Sequence, residues 1–204
     1  MERPLLLFAP GAGAPSASAW MEAWARRLEA LGRVVRFDYP YVVARQRAPD
    51  RLPVLLAAHA EALSAARAGE RGATVLVGKS MGSRVGCHLA TRAEGASVAA
   101  LVCLGYPLRG ASGALRDEVL LALRTPVLFV QGTRDRLCPL DALEAVRARM
   151  TAPSALHPVE GGDHSLEVGV RALRASGRTQ AGEDQRVLEA IQAFLAPLVG
   201  PAPP

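Results

Sequence analysis

Three side chains, far apart in the chain, belong to types that together open acyl bonds. They are Ser80 in Gly78-Lys79-Ser80-Met81-Gly82, Asp135 in Gly132-Thr133-Arg134-Asp135, and His164 in Gly161-Gly162-Asp163-His164. A serine hydroxyl is a weak nucleophile until a neighbouring base takes its proton. Imidazole titrates close enough to neutrality to be that base, and a carboxylate behind it fixes the tautomer and stabilises the imidazolium. His59, within an Ala/Leu-rich helical stretch, His88, two turns beyond the serine, and His157, inside a strand before Pro158, are poorer candidates.

The elements that must position these groups are also legible. Thr74 to Val77 is β-branched and apolar, and the small-residue stretch from Val85 carries helical spacing, so Gly-x-Ser-x-Gly falls between a strand and a helix. That context makes it a nucleophile elbow, a turn so tight that Gly78 and Gly82 must lack a Cβ. The helix N-terminus directs free N–H groups at the same point, where an oxyanion would form. A phosphate-binding loop is the rival, because Gly78-Lys79-Ser80 matches the end of that motif. It fails on spacing: Ala73 stands where the first glycine belongs, and the intervening residues are a strand rather than a loop.

Leu5 to Ala9 is an apolar strand ending in Pro10-Gly11-Ala12-Gly13-Ala14-Pro15, a loop whose small residues let backbone approach a substrate. Ala12 is the expected second oxyanion donor, alongside Met81. Further strands are expected at 34–37, 99–104, 127–131 and 155–159. Helices are expected from Ser18 to about Gly32, over 54–68, 81–93, 117–123 and 140–150, and over 187–198. Asp38-Tyr39-Pro40-Tyr41 reads as an aromatic turn that could line a pocket wall. Residues 168–181, with Arg171, Arg174 and Arg178, read as a basic surface loop, and 201–204 as a frayed tail. The brief connection Arg109 to Gly113 implies little or no cap and an open site for short acyl groups. Lys79, Tyr106 and Arg178 are candidate substrate contacts, the two cations favouring an anionic substrate.

The chain of 204 residues, half of them apolar, suits one α/β domain over residues 1–204, with a mostly parallel sheet between helices. Its net charge of +5 comes almost wholly from arginine dispersed along every helix, with Lys79 the single lysine. Such dispersal argues against a nucleic-acid or membrane face. Cys87, Cys103 and Cys138 lack paired spacing and sit in apolar segments, so they read as packing thiols in a reducing compartment. No run reaches membrane length and the apolar start is too short for a signal segment, so the expectation is a soluble, cytoplasmic protein. It should act on a small molecule without metal or organic cofactor, as a monomer or small homo-oligomer.

At these residues the sequence resembles the α/β-hydrolases related to dienelactone hydrolase, within a small branch that shares a G-K-S-M-G elbow. Gly11 to Pro15, Gly78 to Arg84, Gly105 to Leu108, Gln131 to Asp135 and Gly162 to Ser165 match it in order, and Ser176 to Thr179 looks like a further shared segment. Pro10 departs from the histidine usual there, and the segment after Leu108 departs from a proline-rich stretch. The resemblance implies an α/β-hydrolase fold and a triad in the chain order Ser80, Asp135, His164. It leaves two function classes open: a serine hydrolase cleaving a small ester, thioester or amide, and a non-catalytic binding or scaffold protein on the same fold.

Overall fold

The computed structural model describes residues 3–110 and 113–199. Residues 111 and 112 of the short connection, and the tail expected at 201–204, lie outside the described residues. Six strands form one sheet: β1 (Leu5–Ala9), β2 (Arg33–Arg36), β3 (Thr74–Lys79), β4 (Val98–Leu104), β5 (Val127–Gly132) and β6 (Ser154–Val159). Their order is β2-β1-β3-β4-β5-β6 and every pairing is parallel. The helices are α1 (Ala19–Leu28), α2 (Pro40–Val43), α3 (Leu52–Arg67), α4 (Met81–Ala90), α5 (Glu118–Ala122), α6 (Leu140–Arg147), α7 (Val170–Ala175) and α8 (Gln180–Val199).

Alternation along the strands builds two cores. Leu5, Leu7, Leu76, Leu101, Cys103, Val127 and Phe129 face one side, packed by α3 to α6. Leu6, Phe8, Val75, Val77, Val102, Leu128 and Val130 face the other, packed by α1 and α8. A sheet buried on both faces needs near-continuous apolar strands, which is why these strands read as unbroken Val/Leu runs. The parallel register also brings the carboxyl ends of β1, β3, β4 and β5 to one edge, where ligands bind in open α/β sheets.

Two expectations are corrected. Residues 168–181 are not a loop: α7 occupies Val170–Ala175, and α8 starts at Gln180, seven residues before the expected Val187. Val-Arg-Ala-Leu-Arg-Ala is a good helix former, Gly177 at φ +65° stops it, and buried Glu183 and Asp184 anchor the first turn of α8 through Arg186 and Arg27. The aromatic turn is also different. Tyr39 and Tyr41 are buried, and Pro40 opens the short α2 at a position where a missing N–H costs nothing.

All three cysteines are free and buried, with the Cys87 and Cys103 sulfurs 3.8 Å apart. No described helix is long and apolar enough to cross a membrane.

Candidate active site

Ser80 lies between β3 and α4 at φ 48°, ψ −112°, a left-handed conformation that a side chain rarely adopts. The surrounding backbone holds it there. A Cβ at Gly78 would stand 2.2 Å from the Ser83 nitrogen, and one at Gly82 would stand 2.5 and 2.6 Å from the Ala9 and Pro10 carbonyl oxygens. Both glycines are therefore contact points, the second joining the elbow to the loop after β1. The Ser80 N–H donates to the Leu104 carbonyl on β4, and its own carbonyl accepts from Ser83 and Arg84 in the first turn of α4.

His164 sits in the loop after β6, its side chain 28% exposed, and spans the gap between serine and carboxylate. Its Nε2 is 2.7 Å from Ser80 Oγ, and its Nδ1 is 2.7 Å from Asp135 Oδ2. Asp135 is almost wholly buried and receives two further donors, the Leu137 N–H on Oδ1 at 2.8 Å and the Gln131 amide on Oδ2. Burial alone would raise its pKa. The hydrogen bond and charge of His164, with the Leu137 and Gln131 donors, outweigh burial and leave Asp135 below the usual carboxylate value.

Those donors fix the tautomer. An ionised carboxylate only accepts, so the proton shared with Asp135 belongs to Nδ1. In neutral imidazole Nε2 is then the bare acceptor facing the Ser80 hydroxyl. The candidate acid is thus distinguished from its neighbour Asp163. Asp163 Oδ1 accepts from the N–H groups of Ser165 and Glu167 and closes the loop that carries His164.

Gly11 brings the loop after β1 against the elbow: a Cβ there would lie 3.5 Å from Ser80 Cβ. The Gly13 N–H donates to Tyr41 Oη at 3.3 Å, so Tyr41 props this loop from behind, and with Gly13 and Pro15 it also lines a surface pocket. Among the described residues, neither the Ala12 nor the Met81 N–H has a hydrogen-bond partner within the chain.

Other candidates are placed differently from expectation. Tyr106 is fully enclosed, its ring edge-on to Phe129 at 5.7 Å, and cannot touch a substrate. Lys79 turns inward, its ammonium on the His164 carbonyl and 5.2 Å above the Trp20 ring. Arg178 is engaged with Glu183 at 3.4 Å. The two cations expected to attract an anion are thus engaged by partners within the chain. Sequence reasoning gave no role to Gln131, although a glutamine ending a buried strand was a signal. It is fully buried, accepts the Tyr106 N–H at 2.9 Å and donates to Asp135. Among the described residues no cluster of three His, Cys, Asp or Glu side chains could hold a metal ion.

The family model of an alpha/beta hydrolase domain matches residues 2–196. The chain belongs to the α/β-hydrolase family. An alpha-beta serine hydrolase homologue from Coxiella burnetii superposes with a TM-score of 0.72 at 19% identity, covering 96% of this chain and 87% of that one. Dienelactone hydrolase from Anabaena variabilis gives 0.72 at 17%, covering 97% and 88%. Est1E from Butyrivibrio proteoclasticus, with ferulic acid bound, gives 0.66 at 17%, covering 93% and 90%. At such identities the likeness is one of fold, and this α/β-hydrolase shares with those structures nearly its full length.

Proposed function

We propose that this α/β-hydrolase is a serine hydrolase that cleaves a small ester, thioester or amide through an acyl-enzyme. The observation that supports it is the hydrogen-bonded line from Ser80 Oγ through His164 to Asp135, both links 2.7 Å, with the serine on a strained strand-to-helix turn. In this reading His164 Nε2 takes the Ser80 proton as Oγ bonds to the substrate carbonyl carbon. The carbonyl π pair moves onto oxygen, and the N–H groups of Met81 and Ala12 hold that oxyanion, a contribution of about 3 kcal/mol per donor in comparable sites. The oxyanion then re-forms the carbonyl, the bond to the leaving group breaks, and the Nε2 proton goes to that group. Water repeats the sequence on the acyl-serine and frees the acid.

Between β4 and α5 the described chain carries only the short antiparallel bridge of Arg109 with Leu115, and no helix lies over the site there. Short acyl groups are therefore the substrates this site suits, since long chains need an enclosing apolar wall. A nitrophenyl ester series tests both parts. Turnover of acetate and butyrate esters that disappears in Ser80→Ala supports the reading. Equal turnover by Ser80→Ala would remove the serine, and preference for long chains would refute the open site.

A further inference from the structure

The single lysine of the chain occupies an unusual place. Lys79 is the last residue of β3, on the face where Val75 and Val77 meet α1, and only 9% of it is exposed. Taking an ammonium out of water costs several kcal/mol unless its surroundings replace the lost hydration. Here the hydrogen bond goes to a backbone carbonyl, that of His164, and the ring of Trp20 supplies its π face at 5.2 Å. Burial pulls the Lys79 pKa down to about 8, while Asp135, Asp163 and Glu167 act in the opposite sense. The group is thus still mainly ammonium at neutral pH, held where a smaller apolar side chain would cost less.

The surroundings of the His164 carbonyl are arranged for this contact. Gly105, at φ +68°, has no side chain to block it: a Cβ there would sit 2.4 Å from that oxygen and 3.2 Å from Lys79 Nζ. The next carbonyl, of Ser165, accepts from Trp20 Nε1 at 3.0 Å. Two donors from the first half of the chain therefore hold two successive peptide groups of one loop in its second half. That loop leaves β6 through Gly161 and Gly162, which give it little stiffness of their own.

We propose that Lys79 is a positioning residue for His164, its ammonium clamping the His164 carbonyl so that the imidazole stays in line with Ser80. The logic is one of adjacency. Lys79 holds the main chain of His164, and Ser80, the next residue, meets its ring at 2.7 Å. The nucleophile and the anchor of its base are thus consecutive residues of a single rigid strand end, which ties the distance between them to covalent geometry. Trp20 is the second jaw of the clamp. The inference rests on the serine-hydrolase reading for its catalytic consequence, whereas the clamp itself is a statement about His164 alone.

The test uses the full chain with Lys79→Met, which keeps length and apolar bulk, and Trp20→Phe, which keeps the ring and removes the donor. A displaced base costs on the order of 10²-fold in rate when reacting groups shift by about 1 Å. Lys79→Met should therefore lower kcat for a nitrophenyl acetate by roughly that factor, with KM little changed. In proton NMR without substrate, the downfield His164 Nδ1 proton should broaden or vanish through exchange, because the imidazole no longer stays on Asp135. Trp20→Phe should shift both readouts the same way by less, and it carries the test alone should Lys79→Met fail to fold.

Wild-type kcat and an unchanged Nδ1 resonance in a folded Lys79→Met protein would overturn the clamp, as would a lost kcat with the resonance intact. The resonance also separates the two readings. A wild-type protein that turns over no ester but loses the signal in Lys79→Met would retain the clamp and contradict the hydrolase.

Discussion

Replacing Asp135 with asparagine changes one oxygen to nitrogen, and the structure says where the new amide would fail. The carboxylate accepts from three donors: the Leu137 N–H on Oδ1, and the Gln131 amide and His164 Nδ1 on Oδ2. If the asparagine nitrogen takes the Oδ2 place, it meets the donor of Gln131 and can satisfy His164 only by turning Nδ1 into an acceptor. The imidazole proton then lies on Nε2, facing Ser80, and the base is lost. If the nitrogen takes the Oδ1 place, it opposes the Leu137 N–H, and the imidazolium loses its charged partner in a site where Asp135 is 4% exposed. Both arrangements raise the barrier. In triads of this kind the change lowers kcat by about 10⁴-fold, or ~5.4 kcal/mol. The assay is steady-state hydrolysis of nitrophenyl acetate beside a urea unfolding curve showing that the variant is folded. Asp163→Asn is the control, since Asp163 Oδ1 accepts from its own loop's N–H groups, whereas the imidazole Nδ1 is bonded to Asp135. A folded Asp135→Asn protein within tenfold of wild type, or a larger loss from Asp163→Asn, would refute this reasoning.

Further outcomes follow from the same contacts. Gly105→Ala would place a Cβ 2.4 Å from the His164 carbonyl at a backbone φ of +68°. It should cost about 2 kcal/mol in urea unfolding and slow ester turnover, and wild-type values for both would contradict the packing described. His59 is fully enclosed, its Nδ1 3.2 Å from Tyr39 Oη, and burial pulls its pKa down to about 3. Because the unfolded value is near 6.5, the unfolded chain takes up the proton first. The contribution of His59 to stability is whole above about pH 6.5 and falls by ~4 kcal/mol as pH drops toward 3. His59→Gln should flatten that slope by about one proton in unfolding free energies measured between pH 4 and 6.5, and an identical slope would refute it. His164→Ala should leave the fold intact and reduce kcat by about 10⁴-fold in the ester assay, with near-normal turnover removing it as the base.

What could be read from the sequence was local. The elbow is one contiguous stretch whose strand, glycines and helix run without a break from Thr74 to Ala90, and Ser80 and Asp135 each follow an apolar strand that announces itself, while His164 follows the paired Gly161 and Gly162. The support of the site was not legible, because it joins distant residues. Trp20 reaches Ser165 across 145 positions and Lys79 reaches His164 across 85, and no periodicity connects them. Charge ordinarily means contact with solvent or ligand, so the sequence alone suggests substrate contacts at Lys79 and Arg178. Burial and ion pairing in the folded state gave them inward partners. The helical character of Val170 to Ala175 was masked by flanking Gly169 and Gly177, which bound the helix instead of dissolving it.

The claim on which the rest depends is that the Ser80 hydroxyl is an activated nucleophile. Treating the native protein with a fluorophosphonate and mapping the adduct by peptide mass spectrometry measures this directly. The account predicts one equivalent of phosphonyl group on Ser80, formed at a rate that falls sharply in His164→Ala and not at all on Ser80→Ala. Absence of any adduct on folded protein, labelling at another residue, or an undiminished rate without His164 would contradict it.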